Sequence, residues 1–395
     1  MILSAAQQIL NDILAPCSYE QFFSTIVGRQ PLALLGSAPA LRTRMLGDNP
    51  KLAILKEFDK YAHTLTCHIH TPTAPPPMAR KVANAEAFHA LIGEYHERGY
   101  TVRLPDVKDI APQLSEFTRA LEMVFEKPVG VVIFWSAPGA AAPVHHDEID
   151  VIVIQLTGSK RWFISDEPAT LPNNWKAVGE GPPPMGRYST YDVQAGDLLY
   201  LPRGTAHTVQ STSESIHLSI GFVPVTVRDN LHAVLDHLAD LDKPLRTDAG
   251  LRADDLARGQ SHTLICEQIR AELKKLSEQC QSDEFILQAL TKRRSRMIYD
   301  LPKLPANKNP PVLNIHARVK HTPLAIANLI TTPHILDWRQ PAEQLLIHPG
   351  AEQALRFILA NAEFTVADIP GELGDEVKIA LIMRFMSNGF LQKIE

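Results

Sequence analysis

Residues 143–162 read PVHHDEIDVIVIQLTGSKRW: a polar cluster, an apolar run, a turn and a basic pair. VIVIQL is apolar at every alternate position on both sides, which predicts a strand buried on both faces. TGS at 157–159 supplies hairpin-turn chemistry, after which a second strand opens. The surrounding sequence has the same texture. VGVVIFWS (129–136), DVIVIQL (150–156), RWFIS (161–165), DLLYLP (197–202), HTVQS (207–211) and SIHLSIGF (215–222) are short β-rich runs with Gly/Pro punctuation. No helical pattern separates them, so a β sandwich or barrel is predicted over about 128–225. Residues 166–190 contain EGPPPMG and are too polar and proline-rich for a core element, so a loop over one mouth of the sandwich is expected there.

The flanks are different in character. Apolar residues at helical spacing predict helices over 84–98 and 111–126, while TPTAPPP (71–77) reads as a loop. The opening MILSAAQQILNDILAP lacks a basic region and carries Asp12, so it reads as a short amphipathic helix rather than a signal peptide. After Val225 the pattern is helical over 227–242, 263–280 and 283–297. Residues 301–311 (LPKLPANKNPP) have the composition of a linker. The end reads helix (351–361), short helix (365–373), helix (375–387), then FLQKI as a strand, the order of a winged-helix-like module. Three parts result: 1–225, 226–300 and 301–395.

Composition narrows the classes. Hydrophobic residues are 45% and charged residues 21% of the 395, an ordinary globular balance that excludes a disordered or collagen-like chain. A formal charge of −5 argues against a surface given over to nucleic acid. Direct nucleic-acid binding is not expected. No apolar run is long enough for a membrane span. Four scattered cysteines do not make a disulfide framework and fit a reducing compartment, so a cytoplasmic location is expected.

The polar cluster carries the chemistry. His145 and Asp147 are two residues apart on an expected strand, so both side chains point one way, roughly 7 Å apart along the chain. His207 follows a Pro-Arg-Gly turn that can return it to the same pocket. Two histidines and one carboxylate leave three metal positions open, as in non-haem Fe(II) oxygenases. A closed zinc site would want four ligands with thiolates, and no cysteine lies in either segment. Alternation alone leaves His146 and Glu148 as a rival pair on the opposite face.

The motifs resemble a known family. HHDEIDVIVIQLTGSKRW and DVQAGDLLYLPRGTAH, within 95–225, are similar to the metal-binding segments of JmjC/cupin-type ribosomal oxygenases. These are Fe(II)- and 2-oxoglutarate-dependent protein hydroxylases built on a double-stranded β-helix, a jelly-roll. The resemblance implies that fold for 1–225, a helical dimerisation segment at 226–300 and a winged-helix-like domain in 301–395. It implies Fe(II), O2 and 2-oxoglutarate as cofactors and co-substrate. It also selects His145, Asp147 and His207 as the ligands, with His146 packing beside them.

The family places a cation where Lys160 stands, to neutralise the distal carboxylate of 2-oxoglutarate. Two positions depart from its pattern. Phe134 stands where a polar residue or tyrosine commonly helps the co-substrate, and Ser136 on the same face is the expected substitute. His217 stands in place of a frequent asparagine, and with Ser219 it shares a face that could reach the co-substrate. Cys67-His68-Ile69-His70 reads as a surface strand, and KRRSR (292–296) as a solvated helix end.

The expected function is therefore side-chain hydroxylation in a protein or peptide, with a ribosomal protein favoured. The same chemistry on a peptide natural product or its precursor is the alternative, and a non-enzymatic cupin-like binding module is the third reading. Surplus apolar surface on the helices after Val225 predicts a homodimer.

Overall fold

Ten strands between Leu32 and Phe222 form two antiparallel sheets in the computed structural model, which describes residues 2–37, 40–72, 74–171, 184–248, 262–304 and 311–394. They are β1 (Leu32–Leu34), β2 (Thr66–His68), β3 (Thr101–Leu104), β4 (Gly130–Ser136), β5 (Asp150–Thr157), β6 (Ser159–Ser165), β7 (Tyr188–Gln194), β8 (Leu198–Leu201), β9 (His207–Ser211) and β10 (Ser215–Phe222). The larger sheet has the order β1-β8-β5-β10-β4-β3-β2, and the smaller has β7-β6-β9. This is the expected double-stranded β-helix, a jelly-roll core with helices on its flank.

Alternation decides what each strand offers. On β10, Ile216, Leu218, Ile220 and Phe222 enter a core shared with the helices Ile2–Leu14, Ala85–Glu97 and Pro112–Phe125. His217 and Ser219 take the other face, towards the smaller sheet. Strand β5 divides likewise. Ile152, Ile154 and Leu156 join the helical side, while Val151 and Val153 pack with Trp162, Ile164 and Val193 between the sheets. Strand β5 is thus apolar on both faces for two different partners, whereas β10 turns polar side chains to the smaller sheet. Gly158 closes the β5–β6 turn at φ +65°, and a Cβ there would collide with the carbonyl oxygen of Glu214.

Three expectations need correcting. Residues 188–190 belong to β7, not to a loop, although 172–183 lie outside the described residues. Strand β7 alternates exposed residues with half-buried ones and the buried Val193, and it sits at the edge of its sheet, so its sequence YSTYDVQ is mostly polar. Cys67 and His68 do lie on a strand, but His68 lines an interior cavity rather than the surface. Lastly, β5 begins at Asp150, so His145 and Asp147 precede the strand.

The chain divides into two units, Met1–Pro224 and Val225–Glu395. The second opens with the helices Val227–Leu241, His262–Gln279 and Asp283–Asp300, close to the expected bounds. Lys292 and Arg296 of the basic run pair with Asp240 and Asp236 on the first of these helices. Beyond Pro311, two three-stranded sheets accompany the helices Glu352–Ala360 and Asp375–Ser387 around a core centred on Trp338, Phe385 and Phe390. No helix among the described residues is long and apolar enough to cross a membrane.

Candidate active site

His145 and His207 are joined by their main chains. The His145 N–H donates to the His207 carbonyl at 3.0 Å, and the His207 N–H donates back at 2.8 Å. This isolated antiparallel bridge, not a shared strand, sets the two rings side by side with centroids 4.3 Å apart. The Gly204 N–H donates to the Asp147 carbonyl at 2.8 Å and ties the third residue to the same turn.

The side chains are oriented just as firmly. Nδ1 of His145 donates to the Pro143 carbonyl at 2.8 Å, and Nδ1 of His207 donates to the Thr205 carbonyl at 2.9 Å. A carbonyl only accepts, so both Nδ1 atoms carry the proton and both Nε2 atoms keep a free lone pair. The Asp147 carboxylate lies 3.8 Å from Nε2 of His207. One potential ligand atom from each of the three residues lies within 4.8 Å of the others. Burial, then the adjacent His145, pushes the His207 pKa down, which keeps the ring in its ligating neutral form. His146 and Glu148 are not part of this cluster. The geometry favours the register of His145 and Asp147.

The Pro202–Gly204 turn that delivers His207 is anchored by a buried carboxylate. Asp150, fully buried, accepts from the Arg203 N–H at 3.2 Å, from the Arg203 guanidinium at 3.3 Å and from the Tyr200 hydroxyl. Tyr200 in turn accepts from the Gly28 N–H at 2.8 Å. Asp150→Ala would strand an almost buried guanidinium and a buried hydroxyl. A loss of about 3–5 kcal/mol is expected for breaking such a pair, read as a lower urea midpoint with unchanged slope.

A cavity runs from the triad between the two sheets. At its other reach Lys160 is 3% exposed and donates to Ser136 Oγ at 2.7 Å. Ser136 also accepts from Thr101 Oγ1 at 3.0 Å. Lys160 makes no ion pair among the described residues, and burial pushes its pKa down from 10.5 to about 7. Arg161 faces out and pairs with Asp192 at 2.7 Å. The walls include Phe134, Val153, Trp162 and Val209, with His217 and Ser219 from β10. The structure thus brings six of the seven expected site residues to one cavity, and the seventh, Ser136, lies behind its wall against Lys160. Thr101 and His68 join them from β3 and β2 without having been anticipated. The only sequence signal for Thr101 was the short β-branched run TVRL. For His68 it was the alternation in CHIH, which does not say which sheet the strand joins.

The sequence model of the JmjC domain matches residues 109–230, the span that contains the triad and Lys160. The chain is 32% identical over 145 residues to the Dictyostelium discoideum "Bifunctional lysine-specific demethylase and histidyl-hydroxylase NO66", covering 34% of this chain and 27% of that protein. It is 25% identical over 231 residues to Ribosomal oxygenase 2 of Rattus norvegicus, covering 54% of this chain and 48% of that one. The chain therefore spans between about a quarter and a half of these relatives' lengths. Among solved structures, Escherichia coli ribosomal oxygenase YcfD aligns with a TM-score of 0.50 at 15% identity, over 95% of this chain and 98% of that one. A YcfD structure in complex with cobalt and 2-oxoglutarate gives a TM-score of 0.50 at 14% identity, over 95% and 98%. At these identities the likeness is one of fold. The JmjC domain and the strands flanking it account for the whole cavity.

Proposed function

We propose that this chain is an Fe(II)- and 2-oxoglutarate-dependent oxygenase that hydroxylates an amino-acid side chain in a protein. The observation that carries the reading is Lys160. A buried ammonium with no carboxylate against it among the described residues is a costly arrangement unless an anion completes it. The same cavity holds two imidazole lone pairs and a carboxylate with ligand atoms close enough for one ion. A ligand with a carboxylate at each end satisfies both demands, and the donor set fits a metal that must keep positions open. When bound, iron and 2-oxoglutarate would supply the oxidising chemistry with O2.

The chain's own residues do the rest. His145, Asp147 and His207 would hold the metal, and Lys160, steadied by Ser136 and Thr101, would hold the distal carboxylate. Trp162, Val153 and Val209 keep water from the space between. His217 and Ser219 face the same space and are proposed as further co-substrate contacts. The target class rests on the relatives, whose names describe ribosomal oxygenases and a histidyl-hydroxylase. A ribosomal protein is the proposed substrate, and the net charge of −5 suits a basic one. The test is incubation of the Fe(II) protein with 2-oxoglutarate, O2 and ribosomal proteins. Succinate and the gain of one oxygen atom on a ribosomal protein are expected. No succinate with any protein would sink the oxygenase reading.

We also propose a homodimer through 226–300. On the helix Val227–Leu241, Val227, Leu231 and Leu235 are exposed one turn apart, and Ile269 and Leu273 repeat the pattern on His262–Gln279. Light scattering at micromolar concentration should return twice the chain mass. A monomer would remove the claim. The 301–395 part is proposed as a winged-helix-like interaction module, and the unpaired cysteines support a cytoplasmic location.

A further inference from the structure

His68 stands on β2, the outermost strand of the larger sheet, yet its ring lines the cavity. The register explains how. His68 pairs with Thr101 on β3, and Thr101 pairs with Ser136 on β4, so the three share a row that ends at the Lys160 ammonium. In the next row Phe134 pairs with His217. The Phe134 ring stacks on His217 at 5.0 Å and meets the edge of His68 at 5.5 Å, so one phenyl lies between two imidazoles.

Neither imidazole makes a hydrogen bond among the described residues, and Nδ1 of His217 is buried without a partner. Both rings are neutral. Burial first, then the Lys160 ammonium, pushes His217 well down and His68 to about 4. A neutral imidazole carries one donor and one acceptor; burying the His217 Nδ1 unpaired is unfavourable, and half-buried His68 has both groups unused. The unused capacity faces the cavity that Lys160 and the triad share. His68 is also near enough to feel both Lys160 and His145, the two ends of the cavity.

Resting on the oxygenase reading, we propose that His68 is a co-substrate-binding residue, donating a hydrogen bond to the 2-oxo dicarboxylate across Phe134 from His217. The chain thereby replaces the hydrogen bond that Phe134 cannot make with one from a strand outside the JmjC domain. His68 touches neither the triad nor the Lys160–Ser136–Thr101 relay by any hydrogen bond, so its removal separates co-substrate binding from metal binding.

The test uses the full chain loaded with Co(II). 2-Oxoglutarate is titrated in without oxygen, following the Co(II) absorption and the heat released. His68→Ala should bind Co(II) within about twofold of the parent and 2-oxoglutarate at least about tenfold more weakly, as for one lost hydrogen bond to a charged group. His68→Gln keeps a donor of similar reach and should recover most of the affinity. Parental 2-oxoglutarate affinity in His68→Ala would overturn the proposal and place His68 against the target side chain instead. Equal loss of Co(II) and 2-oxoglutarate in both variants would also overturn it, as a purely structural role. A parent that binds Co(II) but no 2-oxoglutarate would overturn the oxygenase reading itself.

Discussion

Replacing His145, Asp147 or His207 with Ala is expected to abolish iron binding and succinate formation, while His146→Ala should retain most of both. The difference follows from what holds each side chain. The main-chain bridge and the two Nδ1–carbonyl bonds aim the Nε2 lone pairs of His145 and His207 to one place. The His146 ring has no part in that arrangement, and its Nδ1 makes no hydrogen bond among the described residues. Outer contacts of a metal site are commonly worth about 10–100-fold in affinity, so loss of a ligand itself should exceed about 100-fold. Iron content after gel filtration and succinate yield measure both. Retained iron in His145→Ala with loss in His146→Ala would reverse the assignment.

Lys160→Ala should lower the apparent affinity for 2-oxoglutarate by at least about a hundredfold. Breaking a buried charge pair costs about 3–5 kcal/mol, and each factor of ten is about 1.4 kcal/mol. Iron affinity should change little. Lys160→Arg should be milder because the charge survives, although a fork fits the Ser136 contact less well than a point donor. Arg161→Ala should matter little, since Arg161 is exposed and engaged with Asp192. Anaerobic titration of 2-oxoglutarate into the Fe(II) protein compares all three. A normal titration for Lys160→Ala would transfer the role elsewhere.

The same lysine sets a pH dependence. Without ligand its pKa lies at about 7, below the ordinary 10.5, and a bound carboxylate raises it again. Below pH 7 the ammonium is already present and binding needs no proton. Above pH 7 binding takes one up, so affinity falls by up to tenfold per pH unit. Between pH 6.5 and 8.5 a loss of roughly twentyfold is expected, with proton uptake seen calorimetrically in two buffers. The ligand-free fold shifts the opposite way. Its folded pKa is depressed, so the cost of the buried charge is full below pH 7 and is relieved as pH rises towards 10.5.

The core strands were legible because each is a short apolar run bounded by turn residues, and all six expected runs begin and end within two residues of their observed bounds. Strand β6 also takes in Ser159 and Lys160. Strand β7 was not legible, because an edge strand that faces water has no need of apolar alternation. Nor were β1–β3. Each has three or four residues, and their place in the sheet is set by partners distant in the sequence. The resemblance singled out three residues that the structure brings together, whereas the expected mechanism of alternation along one strand does not apply. Asp147 reaches the site from an irregular segment held by Gly204. The strands between Arg318 and Ile347 carried no sequence expectation at all.

The cavity's wall on β2 and β3 sets a lower limit on the portable unit of this protein. A fragment cut to residues 109–230 keeps the three metal-facing side chains, Ser136 and Lys160, yet it discards Thr101 and His68. It also turns β4 from an interior strand into a bare edge, since β3 is its neighbour on that side. Such a fragment would present unpaired peptide groups beside an open-sided pocket and would be prone to self-association. For this chain, grafting, directed evolution or crystallisation of the core should therefore start upstream of Thr66.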